Sequence, residues 1–209
     1  MHRPPAGRRG GTVNVPIVSD NVAQRGNWFL RWLMIGLMRL SGWRFTGADF
    51  PDARKFVLIV APHTSNWDFI VGIRAMYALG IRGTFLGKDT LFRFPLGILM
   101  RFLGGFPVDR SKKSDVVTQT AELAQRLDKA IIVLSPEGTR SRVDRWRSGF
   151  YWIAVQAGIP ILPVAFDFST KAVHLHPLFT PTGDADTDLA YLRSLFRSTM
   201  AYDPTKYVE

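Results

Sequence analysis

Lys55-Phe56-Val57-Leu58-Ile59-Val60-Ala61 runs directly into Pro62-His63-Thr64-Ser65-Asn66-Trp67-Asp68. After Lys55 the first stretch carries no charge and is rich in β-branched and aromatic side chains. Such a continuous run reads as a strand covered on both faces of a sheet, since a half-exposed strand would alternate. The polar stretch that follows opens a helical pattern over residues 67–79, with Gly80 as its stop. The same unit returns downstream. AIIVL at 130–134 and the apolar run at 160–166 are further buried strands, and residues 172–176 alternate as a strand. Residues 82–86 read as a short strand, and the apolar stretch 91–103 is broken at Pro95. Helical patterns fall at 114–127, 149–157 and 186–199, the first with Ser114 as a candidate cap. Strands alternating with helices predict a single α/β sandwich: a mostly parallel central sheet flanked by helices. In such folds, sites gather where strands end and loops begin.

A chain of 209 residues suits one domain with a core of its own. An apolar share of 46% against 21% charged is ordinary globular composition, and no repeat or linker divides the chain. Cysteine is absent, which excludes thiol nucleophiles, disulfides and cysteine zinc sites together. The formal net charge of +10 attracts polyanions, whether nucleic acid, anionic lipid or phosphorylated substrate. Residues 1–20 begin with Pro, Gly and Arg without periodicity and read as a flexible basic arm. No apolar segment with a small-residue cleavage site follows promptly, so a secretory leader is not expected. Residues 21–45 centre on WFLRWLMIGLMRL at 28–40, which is too short to cross a bilayer needing about 20 apolar residues. Wound as a helix, this segment presents a broad apolar face with tryptophans and arginines able to reach headgroups. That pattern fits an amphipathic helix lying in a membrane interface, and it fits equally a buried first helix of the core. Seven arginines against one acid, Asp20, among residues 1–44 favour an anionic surface, at about 1 kcal/mol per basic residue.

Two strand ends concentrate chemistry. At the first, His63 offers a base that titrates close to neutral pH, and Asp68 is a carboxylate able to fix its tautomer and stabilise the imidazolium. The same residues support a plainer account. Ser65-Asn66-Trp67-Asp68 matches a capping box, in which Asp68 does no more than close the first turn of a helix. At the second, Ser135-Pro136-Glu137-Gly138-Thr139-Arg140-Ser141-Arg142 follows the strand 130–134. Gly138 admits an unusual backbone angle or a close ligand approach, Arg140 can grip a phosphate with two N–H groups, and Glu137 can accept hydrogen bonds from a polyol. Between these loops, Lys88 and Arg110 are candidate phosphate contacts, and the apolar residues separating them are either an acyl-chain groove or core.

These segments, in this order, resemble the glycerolipid acyltransferases, the lysophosphatidic acid acyltransferase-like family. His63 and Asp68 match its His-x4-Asp motif, and Gly105 to Arg110 is similar to its second motif. Pro136-Glu137-Gly138-Thr139-Arg140-Ser141 resembles the third motif, and Ile159-Pro160-Ile161-Leu162-Pro163-Val164 the fourth. The likeness covers residues 55–167, with Pro62, Pro107 and Ser135 departing from the usual pattern. It implies a catalytic domain over 46–209, with His63 and Asp68 catalytic and Lys88, Arg110, Glu137, Gly138, Thr139 and Arg140 binding substrate. It implies direct attack of a lysophospholipid hydroxyl, most often that of 1-acylglycerol-3-phosphate, on the thioester of acyl-CoA or acyl-carrier protein, in phospholipid biosynthesis. No metal or other cofactor is needed for that reaction. The enzyme is expected to be peripheral or monotopic at the cytoplasmic face of an anionic membrane; oligomeric state carries no sequence signature. The departures leave another acceptor open, a lyso-ornithine lipid among them.

Three other readings compete. A serine hydrolase lacks its Gly-x-Ser-x-Gly elbow here. His174 and His176 share one face of a strand, but with no third ligand in view strand histidines without metal are the expectation. A basic nucleic-acid-binding module would share the +10 charge, yet no recognition motif is present and the arginines sit beside apolar stretches.

Overall fold

The computed structural model describes residues 14–108 and 113–209. Residues 1–13 of the basic arm, and Arg110, lie outside the described residues. Helix α1 spans Trp28–Ser41, shorter than the predicted 21–45, because strand β1 (Arg44–Gly47) takes up the chain soon after the helix ends at Gly42. Then follow β2 (Lys55–Ala61), α2 (Asn66–Leu79), β3 (Gly83–Lys88), α3 (Leu96–Phe102), β4 (Gly105–Val108) and α4 (Lys113–Arg126). The chain continues through β5 (Ala130–Leu134), α5 (Gly149–Ala157), β6 (Ile161–Asp167), β7 (Ala172–Leu175) and α6 (Ala185–Ser194). The seven strands form one sheet in the order β1-β7-β6-β2-β5-β3-β4, and every neighbouring pair is parallel except β6 with β7.

The period of two along β2 divides the core. Phe56, Leu58 and Val60 pack under α1 and α2, while Val57, Ile59 and Ala61 face α4, α5 and α6. Each large side chain so buried stabilises the fold by about 1.5–3 kcal/mol. Helix α1 has one side in the core and another in solvent. Ile35 and Met38 of α1 are buried in the core, while Trp28, Phe29, Trp32, Leu33 and Leu40 stand exposed. Proline inside a central strand ordinarily removes a ladder bond. Pro163 escapes this because the β6–β7 ladder begins at Val164, and on that side its carbonyl accepts from His176 N–H at 3.0 Å.

Candidate active site

The parallel register of β2 and β5 brings the two loops together. Ile59 faces Leu134, so His63 and Glu137 leave their strands at the same edge of the sheet. Beyond β2 the chain enters α2 through a complete capping box: Trp67 N–H donates to Ser65 Oγ at 3.1 Å, and Ser65 N–H donates to Asp68 Oδ2 at 2.7 Å. The same Asp68 Oδ2 lies 3.2 Å from His63 Nδ1. Capping and histidine pairing are thus not alternatives, since one carboxylate oxygen serves two donors. Asp68 is 1% exposed and the His63 side chain 25%. A proton on Nδ1, facing the carboxylate, leaves the Nε2 lone pair as the imidazole's acceptor.

Glu137 is not turned outward to a polyol. It is 1% exposed, and its Oε1 accepts from the backbone N–H of His63 at 2.6 Å. Burial pushes its carboxyl up to about 7, against the opposing pull of that N–H and of the His63 ring. Two buried carboxylates therefore hold His63, one at the ring and one at the main chain. Gly138 next to it adopts φ +65°, and a Cβ there would meet Arg147 Cδ at 2.8 Å, so backbone geometry accounts for this glycine. Thr139 Oγ1 accepts from Ser141 N–H at 3.3 Å within the turn. Arg140 is exposed and makes no hydrogen bond or ion pair among the described residues.

Arg140 lines a concavity of about 290 Å³, together with residues 64–66, Tyr202, Asp203 and Lys206. The last three come from the C-terminal segment, which no local sequence signal joined to the site. Lys88 is exposed at the end of β3, two strands from β2, which puts it about 10 Å along the sheet. The histidine pair lies elsewhere: His174 Nδ1 is 3.0 Å from Thr46 Oγ1, and its ring meets that of His176 edge-on at 4.7 Å.

A family model described as Acyltransferase matches residues 42–167. The chain is 31% identical over 161 residues to the human 1-acyl-sn-glycerol-3-phosphate acyltransferase beta, covering 73% of this chain and 56% of that protein. It is 28% identical over 165 residues to the 1-acyl-sn-glycerol-3-phosphate acyltransferase of Haemophilus influenzae, covering 75% and 65% respectively. The chain thus spans less than two thirds of the length of these curated relatives. In fold it is similar to the crystal structure of the 1-acyl-sn-glycerophosphate acyltransferase PlsC from Thermotoga maritima, with a TM-score of 0.58 at 19% identity over 80% of this chain and 75% of that one.

Proposed function

The chain belongs to the acyltransferase family, and from that membership we propose that it moves a fatty acyl group from acyl-CoA or acyl-carrier protein to the hydroxyl of a lysophospholipid, 1-acylglycerol-3-phosphate foremost, in phospholipid biosynthesis. The observation that carries this reading is the buried Asp68 carboxylate against His63 Nδ1, beside a concavity in which Arg140 is unpaired. In the proposed reaction Nε2 of His63 takes the proton of the acceptor hydroxyl as its oxygen attacks the thioester carbonyl. Asp68 stabilises the imidazolium so formed. Collapse of the tetrahedral intermediate breaks the C–S bond, and the imidazolium proton goes to the departing thiolate. Glu137 holds the His63 main chain still while this happens, and Arg140 receives the phosphate. Arg110 and Lys88, and with them Gly138 and Thr139, keep the substrate-binding roles that the family likeness implies. Holding both reactants in line supplies much of the acceleration. With one acyl-CoA and a panel of lysolipid acceptors, mass spectrometry is expected to show acylated lysophosphatidic acid as the main product. A larger yield from a lyso-ornithine lipid would reassign the acceptor, and thioester hydrolysis without any lysolipid would replace transfer by hydrolysis.

The reading includes a membrane surface as the place of reaction, at the cytoplasmic face, since the acceptor is a lipid. Among the described residues no helix is long and apolar enough to cross a membrane. On α3 and just before it, Phe94, Ile98, Leu99 and Phe102 also stand in solvent, with Arg93 and Arg101 exposed among them. Arg25, just before α1, joins α2 to α3: it donates to the Tyr77 hydroxyl and, at 3.1 Å, to the Phe102 carbonyl. A groove of about 540 Å³ along α1 is lined by Trp28 and Trp32 with Arg25, Arg31 and Arg39, which suits anionic headgroups above an apolar bed. Trp28→Glu with Trp32→Glu is expected to reduce co-flotation with anionic vesicles by about tenfold or more, since each tryptophan withdrawn from the interface forfeits over 1 kcal/mol. Retention of the wild type on nucleic acid, but not on vesicles, at matched salt would instead favour a polyanion-binding module.

A further inference from the structure

The segment after α6 lies outside the matched region 42–167, yet it builds one wall of the concavity beside His63. It is firmly seated. Ala201 and Tyr207 are buried on either side of it. Asp203 N–H donates at 3.1 Å to the hydroxyl of Thr64, the buried neighbour of His63, and Arg142 Nη1 donates to the Thr205 carbonyl at 3.3 Å. This segment presents Tyr202, Asp203 and Lys206 to the concavity.

Cations outnumber the one carboxylate there. Asp203 is consumed locally: its Oδ1 accepts from Thr205 N–H and Oγ1 at 3.2 and 2.6 Å, and its Oδ2 lies 3.1 Å from Lys206 Nζ. An ammonium has three donors, so the Asp203 contact occupies one and leaves two. Arg140, which has no partner among the described residues, also lines the concavity, as do Ser65 and Asn66 at the start of α2, the positive end of that helix. Two cations, beside one carboxylate already engaged within its own turn, suit a phosphate monoester. A volume of about 290 Å³ lies at the lower end of ligand clefts, a size for a phosphoglycerol head rather than for the nucleotide of a thioester donor.

We propose that Lys206, supported by Tyr202, completes with Arg140 a phosphate subsite for the acceptor, making the C-terminal segment a determinant of acceptor specificity. This rests on the acyltransferase reading above. It is tested by initial rates of the full chain, varying lysophosphatidic acid at saturating acyl-CoA and then the reverse. Lys206→Met is expected to raise the acceptor KM about tenfold with kcat within twofold and the donor KM unchanged. It should also erase the preference for lysophosphatidic acid over uncharged monoacylglycerol, and Lys206→Arg should restore both. A rise in the donor KM instead, which would give the subsite to the phosphates of CoA, or no change in either KM, overturns the proposal. Asp203→Asn separates charge from architecture: an acceptor KM at or below that of the wild type is expected, and a rise equal to that of Lys206→Met would mean that Lys206 acts only through its turn. Should the wild type transfer no acyl group at all, the acyltransferase reading fails, but the subsite is still read by titrating glycerol 3-phosphate. Saturable binding that Lys206→Met abolishes sustains it, and absence of binding to the wild type removes it.

Discussion

Substituting His63 by alanine is expected to lower kcat for acyl transfer on the order of a thousandfold, with the acceptor KM little changed and the melting temperature within a few degrees of the wild type. A positioned general base contributes roughly 10²–10⁴-fold, and loss confined to kcat is the mark of an interaction made only in the transition state. The fold tolerates the change because the His63 side chain is a quarter exposed and Asp68 keeps its bond from Ser65 N–H. Turnover near that of the wild type would remove the base. Asp68→Asn is the sharper companion. The asparagine carbonyl can still accept from Ser65 N–H, so the helix cap survives, while the negative charge opposite the ring is gone. A fall of at least tenfold in kcat with an intact melting curve assigns the carboxylate to His63. An unchanged kcat, with the melting curve intact because asparagine keeps the cap, assigns the residue to the cap alone.

That one Asp68 oxygen meets both Ser65 N–H and His63 Nδ1 explains why its sequence context reads two ways. A capping box requires a carboxylate three residues after the cap, and a strand-end histidine two residues before Ser65 falls within reach of that same oxygen once the first turn forms. Elements with dense local signals were legible for similar reasons. The uncharged runs of β2 and β5 appear at their predicted bounds, and α2 stops at Gly80, whose φ of +73° supports the terminal carbonyl bonds. Strands β1, RFTG, and β4, GFPV, carry no such signal, being four residues long and containing glycine or proline. They are strands because β7 and β3 offer them an edge. The antiparallel β6–β7 pair likewise follows from the tight turn at residues 168–171, where Asp167 gathers the N–H and hydroxyl groups of Ser169 and Thr170. Least legible were contacts between a side chain and a distant main chain. Nothing near Glu137 announces that its partner is the amide of a residue 74 positions earlier, and nothing near Lys206 points to the loop after β2.

Glu137 makes the second large prediction. Its carboxyl, ordinarily near 4.5, is pushed up to about 7 in the folded chain, chiefly by burial. A native state that holds its proton more tightly than the unfolded chain is favoured by acid. The stabilisation is complete below about pH 4.5, declines as pH rises, and is gone above about 7. The shift corresponds to about 3 kcal/mol. Glu137→Gln keeps an oxygen to accept from His63 N–H and removes the titration. Urea unfolding is therefore expected to show the wild type losing up to about 3 kcal/mol relative to the glutamine variant between pH 4.5 and pH 8, with the variant the more stable of the two at pH 8. Glu137→Ala behaves differently, since it strands the His63 amide without an acceptor in a buried place, at a cost of about 1–3 kcal/mol, and it frees the loop that carries the base. It should lose more than tenfold in kcat, where glutamine loses less. A ligand-binding role would give the opposite pattern: Glu137→Gln would raise the acceptor KM, and the two proteins would share one pH profile of stability. That result would return Glu137 to the substrate.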